Sequence, residues 1–342
     1  MPDVSTAAVD PTTPTTDSRW QTLWRFQGYL GLILILIASA LLSPERDGQN
    51  VFLESRNLLN VVRFASENGI IAIGMTLIIL TGGIDLSVGA VMALCAVGSA
   101  TFMMELGWNL PMTIGGVLAI GTLVGFLNGF ISTRFRLQSF ITTLAMMSIA
   151  RGVASLWADG YAIPISFGSG SDQAPPLYNE LFGGQLELGE LGIPAQVIYF
   201  LGAWIIASFL LYKTRFGRHI YAVGDNPVAA RLSGINTNRV SIAVFAITGL
   251  LVGLSALLHT ALVNQGSHID GSGYELNAIA AVVIGGTSLM GGVGTIGGTV
   301  IGALILQILD NILGLRNIQS EYQAILKGAI IVLAVILQRR RR

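Results

Sequence analysis

The chain has 342 residues, 52% of them hydrophobic and 11% charged, with a mean hydropathy of +0.68. That balance excludes an ordinary soluble domain and describes a protein that crosses a membrane several times. The formal charge is zero and the single cysteine, Cys95, excludes an intrachain disulfide, so the distribution of charge is more informative than its sum.

The first 27 residues are rich in Ser, Thr, Pro and Asp and contain no apolar run. Residues 1–27 are expected to be a disordered tail, followed by an uncleaved first span. Apolar windows follow at 28–43, 66–82, 86–104, 112–132, 138–157, 195–212, 240–262, 275–290, 293–312 and 322–338. Each approaches the ~20 residues needed to cross about 30 Å of hydrocarbon. The expected fold is therefore an all-α polytopic membrane protein with about ten transmembrane helices. Two windows are interrupted by glycine, at Gly82–Gly89 and at Gly285–Gly292, and each interruption is either a loop between two helices or a break in one.

The interruptions share the pattern G-G-x-x-L-x-x-G, 203 residues apart. A second echo pairs Gly121-Thr122-Leu123-Val124-Gly125 with Gly298-Thr299-Val300-Ile301-Gly302. Glycine-interrupted spans in corresponding places mark many transport folds. The two offsets differ by 26 residues, however, and glycine-rich apolar sequence also produces such matches by chance.

Thirteen of the nineteen basic residues fall on one side of this arrangement: Arg19, Arg25, Arg134, Arg136, Lys213, Arg215, Arg218, Arg231, Arg239 and Arg339 to Arg342. That side is expected to be cytoplasmic and to hold both termini, with 339–342 as a basic anchor. The segment 158–194 has five acidic residues and no Lys or Arg, and is expected outside. The polar interval 213–240 is then a cytoplasmic region. Within it Asn226 can cap a short helix, Pro227 suits its first position, and Gly234 supplies the left-handed residue that ends it. About seven residues are too few to stand as a helix in water, so the membrane surface or another protein must hold this one.

Several motifs are weaker than they look. Gly292-Val293-Gly294-Thr295-Ile296-Gly297 matches the dinucleotide fingerprint, but it lies in an apolar window without a βαβ context, so close helix packing is the better use. No phosphate-cradling G-x-x-x-x-G-K-[ST] occurs, and any ATP must be hydrolysed by another subunit. His219, His259 and His268 are too scattered for a metal site or triad; His259 suits hydrogen-bonded packing better than a proton relay. No cofactor, metal or nucleic-acid partner is expected. Polar residues inside spans are costly and usually face a bundle interior or a water-filled path. Asp85, Thr142, Arg151, Asn264, Asp310 and Asn311 are such residues, although Asp310 and Lys327 can snorkel from span ends. Asn68, Asn128, Thr143 and Asn277 are the uncharged set expected to line a path for a neutral polar solute.

Three blocks resemble one family. They are Gly82-Gly83-Ile84-Asp85-Leu86-Ser87-Val88-Gly89, the stretch Phe216-Gly217-Arg218 to Ala229-Ala230-Arg231-Leu232-Ser233-Gly234-Ile235, and Ala280-Ala281-Val282-Val283-Ile284-Gly285-Gly286-Thr287-Ser288. In this order they resemble the permease subunits of bacterial ABC importers for monosaccharides, the ribose, xylose and galactose branch. The likeness runs from about residue 28 to 338 and departs at the polar N-terminus and the acidic 159–194 segment. It implies an inner-membrane homodimer that receives a sugar from a periplasmic binding protein and docks two cytoplasmic ATPase subunits. By that analogy Asn226, Pro227, Ala229, Ala230, Arg231, Leu232 and Gly234 form the coupling helix that seats in the ATPase. An ion-gradient-driven secondary transporter is the alternative from another class, and an intramembrane enzyme a distant third.

Overall fold

A computed structural model describes residues 27–168, 173–188 and 191–339. Save for residues 27 and 339, the expected tail and basic anchor lie outside the described residues. The chain begins with α1 (Gln27–Leu42), a two-stranded hairpin of β1 (Glu45–Arg46) and β2 (Gln49–Asn50), and a 3-10 turn at Val51–Leu53. Then come α2 (Ser55–Leu80), α3 (Val88–Met104), α4 (Leu110–Arg134) and α5 (Ser139–Trp157). The segment expected outside carries β3 (Ile163–Pro164), α6 (Pro176–Phe182) and the hairpin β4 (Gln185–Leu188) and β5 (Leu191–Pro194). The second half comprises α7 (Ala195–Lys213), α8 (Arg215–Asp225), α9 (Pro227–Leu232), α10 (Thr237–Val263), β6 (Gln265–Gly266), α11 (Tyr274–Ile284), α12 (Ile296–Leu315) and α13 (Ser320–Arg339).

Each of the ten apolar windows falls on a helix, but ten full crossings is more than the lengths support. Among the described residues six helices, α2, α4, α5, α7, α10 and α12, are long and apolar enough to cross; α1, α3 and α11 are shorter apolar helices. With eleven residues, α11 measures roughly 17 Å and cannot cross about 30 Å alone. The expected 275–290 window overshoots because the helix stops at Ile284 and the chain then turns through left-handed Gly286, Gly291 and Gly292. Hydropathy does not register that geometry. Both glycine interruptions are therefore loops between helices, 81–87 and 285–295.

Local chemistry fixes the ends. The Asn109 side chain accepts from Met112 N at the start of α4, and that of Asn236 from Arg239 N at the start of α10, each at 3.0 Å. Thr295 Oγ1 accepts from Gly298 N at 3.0 Å and caps α12, so the fingerprint-like motif serves as a helix start. These contacts satisfy backbone donors that a helix leaves unpaired in its first turn.

The core is centred on α3, buried along its whole length except Met104, and on the second half of α2, buried from Gly69 to Leu80. Around them pack α4, α5, α10, α11 and α12. Helices α4 and α10 approach backbone to backbone: a Cβ on Gly121 would lie 2.3 Å from the Gly249 carbonyl oxygen, and one on Gly249 would lie 2.0 Å from the Gly121 oxygen. Small residues permit such seams between membrane helices. Outward faces such as Ile205, Ile206 and Phe209 of α7 are apolar, as contact with lipid requires.

Two ties were not visible in the sequence. Asp310 and Lys327, each expected to snorkel alone, pair at 2.8 Å between α12 and α13. Tyr178 of α6 is fully buried; its hydroxyl donates to the Leu257 carbonyl at 3.0 Å and lies 3.0 Å from Ser99 Oγ and 2.5 Å from Thr260 Oγ1. Phe167 and Phe182 pack against its ring. The acidic segment is thus anchored to α3 and α10 through one aromatic side chain.

Candidate functional site

The polar interval after α7 forms two helices, where one was expected. Thr214 Oγ1 accepts from Gly217 N at 3.2 Å and caps α8. Gly217, Ile220 and Val223 are buried while Arg215 and Arg218 are exposed, an amphipathic spacing already present in the sequence. Asn226 ends α8 and opens α9: its side-chain oxygen accepts from Val228 N and Ala229 N, both at 3.0 Å. Pro227 takes the first turn, and Gly234, with φ +84°, ends the motif as Ile235 N donates to the Ala230 carbonyl at 3.0 Å. Only Ala230 of α9 is buried. Val228 and Leu232, one turn apart, are 68% and 85% exposed, and Ala229 and Arg231 are exposed beside them. Arg231 also donates to Thr237 Oγ1 at 3.3 Å.

The C-terminal end of α8 sits where the two glycine loops meet. Gly292 N donates to the Leu80 carbonyl at 3.0 Å. A Cβ on Gly224 would lie 1.7 Å from that same carbonyl oxygen and 2.6 Å from Gly292 N, so no other residue fits. Tyr221 donates its hydroxyl to the Gly294 carbonyl at 2.8 Å, and Ile296 N donates to Tyr212 Oη at 3.1 Å. Burial, and then Tyr212 beside it, push the Tyr221 hydroxyl up to about 12, so it remains a neutral donor. Thr76 and Thr299 Oγ1 atoms lie 2.6 Å apart and tie α2 to α12. Three segments distant in sequence therefore share one junction.

The four residues expected to line a path separate into two groups. Asn128 and Thr143 are buried and hold the first loop in shape. Asn128 Nδ2 donates to Ser87 Oγ at 2.8 Å, and Ser87 Oγ donates to Asp85 Oδ1 at 2.6 Å. Thr143 Oγ1 accepts from Leu86 N at 3.1 Å, and Ser139 Oγ accepts from Ile84 N at 3.0 Å. Asn68, half-buried in α2, has a side-chain oxygen with no hydrogen-bond partner among the described residues. Asn277, also half-buried, is on the first turn of α11. Asn311 pairs reciprocally with Asn57 at 3.1 and 2.8 Å between α12 and α2.

A charged cluster escaped the sequence reading. Glu67, 1% exposed inside α2, places Oε2 3.0 Å from His259 Nδ1, and His259 Nε2 lies 3.6 Å from Asp270 Oδ1. Arg151 donates to the carbonyls of His268 and Asp270. His259 thus has the hydrogen-bonded packing expected of it, and the two carboxylates it lies between are what the sequence did not name. The available signal was the lone Glu67 inside an apolar window, while its partner stands 192 residues away.

A family model described as "Branched-chain amino acid transport system / permease component" matches residues 57–335. The ribose import permease protein of Escherichia coli K12 is 42% identical, the match covering 91% of this chain and 92% of that one. The ribose import permease protein of Bacillus subtilis 168 is 40% identical, covering 92% of each. The xylose transport system permease protein of Haemophilus influenzae Rd is 35% identical, covering 90% of this chain and 95% of that one.

Proposed function

The chain belongs to this family of transport-system permease components, and from that premise we propose that it is the membrane-spanning permease subunit of an ABC importer for a monosaccharide. It is a multi-pass protein of the bacterial inner membrane with no ATPase site of its own. The ion-coupled alternative is not carried forward, because the relatives are import permeases for ribose and transport permeases for xylose. A binding protein outside delivers the sugar, a separate ATPase subunit powers the cycle, and two permease copies enclose the path. Both termini and α8–α9 face the cytoplasm.

One observation carries the docking role of Asn226, Pro227, Ala229, Ala230, Arg231, Leu232 and Gly234. A six-residue helix presents Val228 and Leu232 outward, and an exposed apolar pair on a helix too short to stand alone suits a groove in a partner protein. Behind it, α8 touches both glycine loops, so force on α9 reaches the membrane helices directly. Asn68 and Asn277, both half-buried, border the path, and buried Asn128 and Thr143 shape the loop beside it; neutral amides replace the water of sugar hydroxyls without holding the sugar tightly.

The test uses the assembled transporter. Val228→Ser with Leu232→Ser removes the apolar pair, Arg231→Glu reverses its charge, and Gly234→Val forces a β-branched residue into the left-handed region. Each variant should insert normally yet lose at least tenfold in sugar-stimulated ATP hydrolysis and uptake. Parental stimulation in all three would remove α9 from the docking role.

A further inference from the structure

A cleft of about 900 Å³ opens between α1, α7, α8 and α12, beside the second glycine loop. On α7 its lining runs from Trp204 to Tyr212, a rise of roughly 12 Å, close to one leaflet's half of the ~30 Å hydrocarbon core. Part of its floor is bare backbone, since a Cβ on Gly286 or on Gly297 would meet nothing within 4 Å. Its outer lip is the exposed side of α7: Ile205 lines the cleft while 65% exposed, and Phe209 follows one turn on at 64%. The space is therefore continuous with the surface that meets lipid.

Water is a poor occupant. A buried water needs about two to four polar partners, and hydroxyls on these walls are committed to protein. Tyr221 donates to the Gly294 carbonyl, Tyr212 Oη accepts from Ile296 N, and Thr295 Oγ1 accepts from Gly298 N. Trp204, Ile205, Val293 and Ile301 make the sides apolar, and an empty space of this size would forfeit dispersion contacts along every wall. Charge collects at the Tyr212 end. Lys213 follows it directly, Arg215 and Arg218 form the first turn of α8, and Arg218 shares a helix face with Tyr221 one turn on. All three cations are exposed, and none is in an ion pair among the described residues. No acidic side chain lines the cleft among the described residues.

We propose that this cleft binds an anionic phospholipid, with an acyl chain lying along Trp204, Ile205 and Ile301 and the phosphate held at Lys213, Arg215 and Arg218. Guanidinium forks pair with phosphate oxygens through two parallel hydrogen bonds, and the attraction of basic residues for an anionic headgroup adds to burial of the chain. The seat shares a wall with Tyr212 and Tyr221, so the lipid packs against the junction where α8 meets the glycine loops. This inference goes beyond the importer reading and takes from it only that the inner leaflet supplies the lipid.

Photocrosslinking tests it. The full-length permease, carrying photoreactive benzoylphenylalanine at Ser208 or at Val293, is placed in vesicles of phosphatidylethanolamine with a minority of phosphatidylglycerol, and the adducts are identified by mass. Phosphatidylglycerol should take at least threefold the share of adducts that it takes at Ile206, which faces outward on α7 and does not line the cleft. Arg215→Gln with Arg218→Gln should bring the two shares together; should that variant fail to insert, Lys213→Gln serves in its place by lowering the share at the cleft. Either probe position suffices should the other fail to insert. Equal shares at the cleft and at Ile206 would overturn the proposal, as would adducts to residues 1–26 or to a second permease copy in place of lipid. Enrichment that survives loss of the basic side chains would overturn it as well.

Discussion

The Tyr178 hydroxyl has three partners in a fully buried setting, and removing it leaves each of them short of a hydrogen bond. An unsatisfied buried polar group costs about 1–3 kcal/mol, so Tyr178→Phe should lower the thermal unfolding temperature of the detergent-solubilised protein. It should also speed proteolysis within 159–194 before the rest of the chain is cut. The Asp310–Lys327 pair is about one-fifth exposed on each side, so water screens it in part. Asp310→Asn or Lys327→Met alone strands the other charge. The double variant should be more stable in a melting assay than the sum of the two single losses predicts; strict additivity would show that the pair carries no interaction.

Gly224 links elements rather than residues, because its missing side chain lets α8 touch the carbonyl end of α2 and the loop before α12. Gly224→Ala should keep the ATPase subunits bound, since α9 is untouched, while sugar-stimulated hydrolysis falls at least tenfold. Tyr221→Phe, which removes a single hydrogen bond to Gly294, should give a milder loss in the same assay. At this scale the sequence was legible where one residue decides geometry, as with the Asn226 cap, the Pro227 start and the left-handed Gly234. Helix α8 was not legible from composition, because its exposed Arg215 and Arg218 make the interval polar on average although Phe216, Ile220 and Val223 recur at helical spacing. The halved α11 was missed because apolar composition continues through Gly285 and Gly286 while the backbone does not. The Glu67–His259–Asp270 cluster needs three segments brought together by packing, and no local pattern encodes that.

For the whole molecule, orientation is the expectation to measure. Asn238 and Asn179 are exposed at opposite ends of the proposed topology, and Asn238 is preferable to its neighbour Asn236, whose side chain caps α10. With Cys95 replaced by alanine, Asn179→Cys should react with an impermeant maleimide in intact spheroplasts and Asn238→Cys only after the membrane is opened. Reversed labelling would invert the topology and place α9 beyond reach of any cytoplasmic ATPase. The seam between α4 and α10 bears on how such a molecule can move. With the Gly121 and Gly249 backbones in van der Waals contact, and a Cβ on Gly125 only 2.3 Å from the Phe245 carbonyl oxygen, neither helix can slide past the other without collision. The pair must travel as one rigid block, and opening and closing must be borne by the seams around it. Spin labels placed across α4 and α10 should therefore keep a constant separation through the ATP cycle, even while labels on other helix pairs drift apart.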